Sequence, residues 1–320
     1  MASQKVIVFG GNGFIGSHFV DQLVAQNHEV TVFDRFSPGR RNNLEQQEGK
    51  FRKITGDFSN QDAVCEALHG QQIACHLIWY STPISSWSFP MDDIMKNMGT
   101  SLQFLDACVK QGVRKAVFLS SGGTVYGNAT ERASEDTVPC PFSPYGINKL
   151  AVEHFFHHYT VKFGLAADVY RVANAYGPRQ PLTGVQGVIA VWMGRILNGE
   201  TFDVYADENN VRDYVYVEDI AQLMSHSLTS MDASDTFNIG TGTGVSLLTL
   251  LELFKKIIDV PINYRLHPPR PSDVKSSILD SDKILKLFPG FTFKQLEQMI
   301  AHTWEQAKKA HATAPTNSNS

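Results

Sequence analysis

The sequence predicts an α/β protein built on a doubly wound parallel sheet, with a smaller C-terminal lobe. Three observations carry this. Apolar runs of strand length alternate with segments of helix length through the first 175 residues, the first run ends on a glycine cluster, and the alternation breaks after Tyr176. Strands that alternate with helices form a parallel sheet covered on both faces. At ~150 residues per domain, a chain of 320 residues has material for about two domains.

Lys5 to Phe9 reads as a buried strand, because a short β-branched and aromatic run stops at Gly10 and Gly11. A helix follows from about Gly13 to Gln26, and a second strand, Glu29 to Phe33, closes on Asp34. This is a βαβ unit. The rhythm continues with a strand at Ile73 to Ile78, a helix at Met95 to Gln111 and a strand at Ala116 to Leu119. A helix from Tyr145 to about Phe163 and a strand at Ala167 to Val172 complete it. Gly177, Pro178, Pro181, Gly184 and Gly187 then mark a loop into different architecture. The first domain is therefore expected to span 1–175, with the chain returning to it at about 213–242 around a helix at Val217 to Leu228. The second lobe takes 176–212 and 243–309, with Pro268 to Pro271 as a rigid loop. The small, polar stretch 310–320 is expected to fray.

Composition narrows the function. With 42% hydrophobic and 19% charged residues the chain can build a core without staples, and a net charge of −4 argues against nucleic acid as a partner. Cys65, Cys75, Cys108 and Cys140 form no Cys-x-x-Cys pair, so the expectation is free thiols in the cytoplasm. The N-terminus runs straight into the first strand without the pattern of a signal peptide, and no apolar run approaches the ~20 residues of a membrane span. No membrane partner is expected.

Gly10-Gly11-Asn12-Gly13-Phe14-Ile15-Gly16 carries the G-x-x-G-x-x-G spacing between the first strand and the first helix. Glycines there let the backbone turn tightly and approach a pyrophosphate, whose charge rests on the helix N-terminus. Asp34, at the end of the next strand, is placed to accept both hydroxyls of an adenosine ribose. Its carboxylate favours NAD over NADP, while Arg35 beside it keeps NADP open. Asp57, after Gly56, either reaches the adenine or serves as a loop or N-cap carboxylate.

Tyr145 and Lys149 stand at i and i+4 on one helix face. A phenol with a reference pKa of ~10 becomes a usable base when a lysine cation and an oxidised nicotinamide favour the phenolate. His154, His157 and His158 follow on the same helix, but His154 lies ~180° and His158 ~220° around from Tyr145 at ~100° per residue. They read as a solvated or subunit-facing surface, and no metal is expected.

With these elements in one chain, the sequence resembles the extended short-chain dehydrogenases/reductases, within them the nucleotide-sugar epimerase/dehydratase family. Ordered matches include Asn97 to Thr100, Ser120 to Gly127, Ser143 to Gly146, Arg171 to Asn174, Tyr176 to Arg179, Val211 to Tyr214, Phe237 to Gly240 and Arg270 to Asp273. The resemblance implies a Rossmann-type fold with a C-terminal substrate-binding lobe, a homodimer, and NAD held by Gly10, Gly13, Phe14, Ile15, Gly16, Asp34, Asp57, Phe58, Asn97, Tyr145 and Lys149. It also implies a UDP-sugar as the small-molecule partner and inversion at C4 of a UDP-hexose through a 4-keto intermediate, with Tyr145 as the base. Asn174, Arg212, Arg270 and Asp273 match positions that hold the nucleotide diphosphate, a role suited to the two arginines.

Two departures stand out. Gly122 occupies the place where many relatives carry a catalytic Ser or Thr, so the hydroxyl must come from Thr124, Ser121 or water; Thr124 is preferred because it shares the strand-end loop. Trp79 and Tyr80 stand where relatives carry small residues, and Trp79 either shapes the space beside the nicotinamide or belongs to the core. Ser277 matches a position where a small side chain admits an N-acetyl group, which adds UDP-GlcNAc to UDP-glucose as an expected substrate. A 4,6-dehydratase is disfavoured because Gly122, Gly123 and Thr124 replace the Thr-Asp-Glu of such enzymes. A 4-ketoreductase and a non-catalytic NAD-binding sensor are the competing readings.

Overall fold

The computed structural model describes residues 3–37, 41–129, 131–207, 210–228, 231–269 and 274–312. Strands β1 (Lys5–Phe9), β2 (Glu29–Asp34), β3 (Arg52–Thr55), β4 (Ile73–His76), β5 (Lys115–Ser121) and β6 (Ala166–Val172) come first. They alternate with helices α1 (Phe14–Ala25), α2 (Gln61–Ala67), α3 (Pro83–Ser88), α4 (Pro90–Asp93), α5 (Gly99–Lys110), α6 (Gly122–Val125) and α7 (Pro144–Phe163). The chain continues through β7 (Asn174–Tyr176), α8 (Val188–Leu197), β8 (Phe202–Tyr205), β9 (Val211–Tyr216), α9 (Val217–Ser227) and β10 (Asp235–Ile239). It ends with β11 (Gly244–Ser246), α10 (Leu247–Ile257), β12 (Tyr264–His267), β13 (Ser276–Ser277), α11 (Asp282–Leu285) and α12 (Leu296–Ala312).

The main sheet has seven parallel strands in the order β10-β6-β5-β4-β1-β2-β3. Helices cover both faces, which is why its central strands are apolar on both sides: Val6, Ile7, Val8 and Phe9 are all fully buried. From β1 the chain winds outward through β2 and β3, then returns to β4 on the other side of β1 and winds outward again. The winding therefore reverses between β1 and β4, and α1 starts there. A crevice at the carboxyl ends of the strands is the expected ligand site at such a reversal.

A second, four-stranded sheet is centred on β9, which runs antiparallel to β11 and parallel to β7 and β13. Its register sets Asn174 opposite Tyr214 and Ser277 opposite Arg212. A two-stranded sheet joins β8 and β12. After β9, α9 packs against α1 and β10 pairs with β6 at the edge of the main sheet.

Element boundaries differ from expectation in instructive places. The strand expected to reach Ile78 ends at His76, where Leu77 and Ile78 turn over the Gly10 backbone. The helix expected from Met95 begins as a π-helical segment, Ile94–Met98, that runs into α5. Such segments concentrate near functional sites. The last helix continues to Ala312, past the expected start of the frayed tail.

Two buried ion pairs tie helix to sheet and strand to strand. Arg171 of β6 donates to Glu153 of α7 through Nε at 3.0 Å and Nη2 at 2.6 Å, and its Nη1 donates to Tyr126 at 2.8 Å. Lys115 of β5 meets Asp168 of β6 at 2.5 Å. Arg171→Ala leaves the Glu153 carboxylate buried without its cation. The expected cost is about 3–5 kcal/mol, seen as a lower denaturant midpoint with an unchanged slope; a midpoint equal to wild type would show the pair to be dispensable.

Candidate active site

The strand ends open onto a cavity of about 840 Å³. Its walls come from the glycine turn, from the ends of β4 and β5, from the start of α7 and from β7 and β9. The glycine requirement is geometric. A Cβ on Gly16 would sit 2.2 Å from the Gly10 carbonyl oxygen, and Gly10 itself has φ +83° with Ile78 pressed against it. Gly13 caps α1 without a side-chain hydrogen bond, and the first turn of α1 carries no acidic residue. The N-terminal amides of a 12-residue helix thus face the cavity through Gly13, Phe14, Ile15 and Gly16, a cradle that fits a pyrophosphate.

Asp34 stands at the end of β2 beside this turn. Its Oδ2 accepts from the Asn12 amide at 3.0 Å and its Oδ1 from the Arg35 amide at 2.7 Å, which fixes the carboxylate with lone pairs to spare. Asp57 accepts from the Ser59 amide and hydroxyl and from Tyr80 Oη at 3.4 Å. The Ser59 hydroxyl bond chiefly holds its pKa below the usual carboxylate value, while burial and the Asp57 charge push the Tyr80 phenol up to about 12.

Helix α7 begins at Ser143, whose hydroxyl accepts from the Gly146 amide at 3.1 Å, with Pro144 in the first turn. Gly146 is required because a Cβ there would lie 2.8 Å from the Thr124 carbonyl. This close approach brings the first turn of α7 against α6 and sets Tyr145, Lys149, Thr124 and Ser121 on one cavity wall. The Lys149 ammonium donates to the Leu119 carbonyl at 2.7 Å and lies 3.8 Å from the Trp79 ring, 4.7 Å from Phe118 and 5.8 Å from Tyr145. Burial pushes the Lys149 pKa down to about 7 against the opposing pull of Glu153 and Asp93, and it raises that of Tyr145. A cationic ring brought into this cavity favours the phenolate, reversing the effect of burial on Tyr145.

The substrate-side residues meet through β9. Asn174 donates to the Asp213 carbonyl at 3.1 Å, Arg212 lines the cavity, and Ser277 is buried opposite Arg212 in β13. A Cβ placed on Gly123 would lie 3.9 Å from each of Ser121 Oγ, Asn174 Nδ2 and Ser277 Oγ. These three polar groups therefore surround a space left open by the missing side chain. Arg270 and Asp273 lie outside the described residues.

Two expected cofactor residues point elsewhere. Phe58 is a core ring packed on Phe9, His76 and Phe104, so its side chain does not reach the cavity. Asn97 is also buried: its carbonyl accepts from the Tyr80 amide at 2.8 Å and its amide donates to Ser81 and Asp93. All of its polar reach is used to fix the 80–93 segment. Trp79 both packs on Phe118 and lines the cavity over Lys149, so the two alternatives for it hold together. His154, His157 and His158 are exposed. Sequence reasoning missed Tyr214, which lines the cavity and whose buried hydroxyl has no hydrogen-bond partner among the described residues, and Ser86, which accepts from the Tyr145 amide at 3.2 Å.

The absence of a side chain at residue 122 also has a physical cause. A Cβ on Gly122 would meet Leu279 Cδ1 at 2.4 Å. The core leucine occupies the space that a Cβ at this position would take. Gly122→Ser is expected to destabilise by about 1–3 kcal/mol, and Leu279→Ala in the same chain should relieve part of this overpacking. Thermal denaturation of both single variants and the double variant checks it as a cycle, because Leu279→Ala alone costs about 2–5 kcal/mol: the double variant should lose less than the sum of the two single losses, and a loss equal to or above that sum contradicts it.

A glycine cradle at a helix N-terminus, with the Asp34 carboxylate at the neighbouring strand end, and a buried Tyr/Lys pair lining the same crevice are the features of a dinucleotide-dependent enzyme site. The chain belongs to the NAD dependent epimerase/dehydratase family, which matches residues 6–240. It is similar to a UDP-glucose 4-epimerase of Mycolicibacterium smegmatis, 32% identical over 305 residues, covering 94% of this chain and 97% of the relative. Among solved structures it is similar to the Thermotoga maritima UDP-glucose 4-epimerase with UDP-glucose, at 35% identity and TM-score 0.85, covering 96% of this chain and 99% of that one. The Thermus thermophilus UDP-glucose 4-epimerase complex with NAD has 34% identity and TM-score 0.85, covering 95% of this chain and 99% of that one.

Proposed function

We propose that this chain is an NAD-dependent epimerase that inverts C4 of a UDP-hexose through a 4-keto intermediate. The observation that carries the reading is the shared lining of one cavity by the buried Tyr145/Lys149 pair, by Ser121 and Thr124 at the β5–α6 junction, and by the glycine cradle. Bound NAD would supply the acceptor, and then the donor, of the C4 hydride.

The chain's own residues divide the remaining work. Gly10, Gly13 and Gly16 admit the pyrophosphate to the α1 N-terminus, and Asp34 takes the adenosine ribose. Tyr145 removes the proton from the 4-hydroxyl as the ketone forms and returns it when the carbonyl is reduced. Lys149 holds positive charge near the phenol and so lowers the cost of the phenolate. Thr124, with Ser121 beside it, hydrogen-bonds the sugar oxygen in place of a hydroxyl at residue 122. Arg212 and Asn174 hold the nucleotide diphosphate, and the open space between Gly123, Asn174 and Ser277 leaves room for a substituent on the sugar.

The same reading includes a cytoplasmic homodimer. Its support is the set of four free thiols and an exposed apolar set, Ile84, Trp87, Phe89, Met91 and Met95, on segments next to α7, itself exposed at Ile147. Among the described residues no helix is long and apolar enough to cross a membrane.

Proton NMR of the purified protein with catalytic NAD and UDP-glucose or UDP-GlcNAc, and no reductant, tests the function. Appearance of the galacto epimer of either sugar is expected, and Tyr145→Phe should lower its rate at least ~10²-fold while retaining NAD. A protein that binds NAD but leaves both sugars unchanged contradicts epimerisation and favours a 4-ketoreductase or a sensor.

A further inference from the structure

We infer that Asp93 is a positioning residue that sets both the placement and the ionisation of Tyr145, an inference that rests on the reading of Tyr145 as the base. Asp93 closes α4, does not line the cavity and is buried to 2% exposure. Its carboxylate accepts from three neutral side chains. Ser81 and Asn97 donate to Oδ1, the latter at 2.6 Å, and Asn148 donates to Oδ2 at 2.6 Å. Each donor comes from a different part of the site: Ser81 from a cavity-lining loop, Asn97 from the π-helical segment, and Asn148 from the helix turn between Tyr145 and Lys149.

This arrangement has two consequences. The first is mechanical, because one buried carboxylate brackets the loop that carries Trp79 and Ser81 to the turn that carries Tyr145. Removing it takes the acceptor from the buried Asn148 amide, from Ser81 and from one of the two Asn97 bonds, a costly state. The second is electrostatic. None of the three side chains that donate to Asp93 is a cation, and interactions between buried groups are screened little.

The charges around Tyr145 and Lys149 single out Asp93. From α7, Lys149 is the nearby cation, and Glu153 is engaged by Arg171 and Ser120. From β4, His76 is fully buried with Nε2 on Ser101, and burial holds its pKa well below the usual histidine value. Asp57 is further out, on Ser59 and Tyr80. Burial is the main cause for both groups, raising the pKa of Tyr145 and lowering that of Lys149; Asp93 adds to the first and, after Glu153, opposes the second, which makes it the anion common to both members of the pair. It thus adds to the cost of the Tyr145 phenolate, a cost that a further cation brought into the cavity offsets, which couples the base to occupancy of the cofactor site.

The test uses the NAD-loaded protein with [13Cζ]tyrosine, the Tyr145 resonance being assigned by its loss in Tyr145→Phe. In Asp93→Asn, whose amide can keep the hydrogen bonds if Asn148 turns its own amide over, the Tyr145 titration should move down by about one pH unit. The acidic limb of the kcat profile for the UDP-sugar should move with it. An unmoved titration overturns the inference, whatever the activity. If Asp93→Asn does not fold, Asn148→Ala carries the test: cutting the tie should shift and broaden the Tyr145 resonance, and a spectrum superimposable on wild type overturns the inference. Failure of the functional reading is separately visible, because the wild-type protein would then turn over no UDP-sugar while the resonance still reports on Asp93.

Discussion

Lys149 is a buried amine on the cavity wall whose charge is made costly by burial, and much of the site follows from how that cost is offset. Its charge has a carbonyl partner at 2.7 Å, three aromatic faces within 6 Å and Glu153 one turn further along α7. A cation over aromatic rings is attracted to their negative faces, and a hydrogen bond from the ammonium to a carbonyl offsets part of the lost hydration. These contacts require α7 to lie hard against the end of β5, so residue 146 must be glycine and Glu153 must have its own cation in Arg171. The pair most tied to chemistry is therefore also anchored to the main sheet.

The sheet reversal supplies the second half of the site. Because the winding changes direction between β1 and β4, α1 presents its N-terminus to the same crevice that α7 enters from β5 and β6. The small sheet then adds a wall from distant sequence. Its register, not sequence proximity, brings Arg212 beside Ser277 and Asn174 beside Tyr214. A glycine cradle and a Tyr/Lys pair from the main sheet's helices thus meet polar residues set by the small sheet.

Much of the first domain was legible because its signals are local. A strand that ends on glycines, an acidic residue at the next strand end, and a tyrosine four residues before a lysine need no tertiary knowledge. The second sheet was not legible at this level, since β9 pairs with strands 37 residues before and 33 and 65 residues after it, counted between first residues. Asn97 and Phe58 misled for a related reason: sequence position told that they lie near the cofactor site but not that their side chains turn inward to Asp93 and to the aromatic core. The glycine at 122 was visible as a departure, yet its cause, Leu279, is packed in from the far end of the chain. Asp93 carried no motif, and its importance emerges only when three donors from separate segments converge on it.

The central claim is that one cavity removes hydride from C4 and restores it to the same carbon of the same sugar. UDP-glucose bearing deuterium at C4 tests this most directly, with catalytic NAD in ordinary water and mass spectrometry of the separated products. The account predicts a galacto product that retains deuterium at C4 through every turnover. Loss of the label to solvent, or its accumulation in free cofactor beside an oxidised sugar, would contradict it.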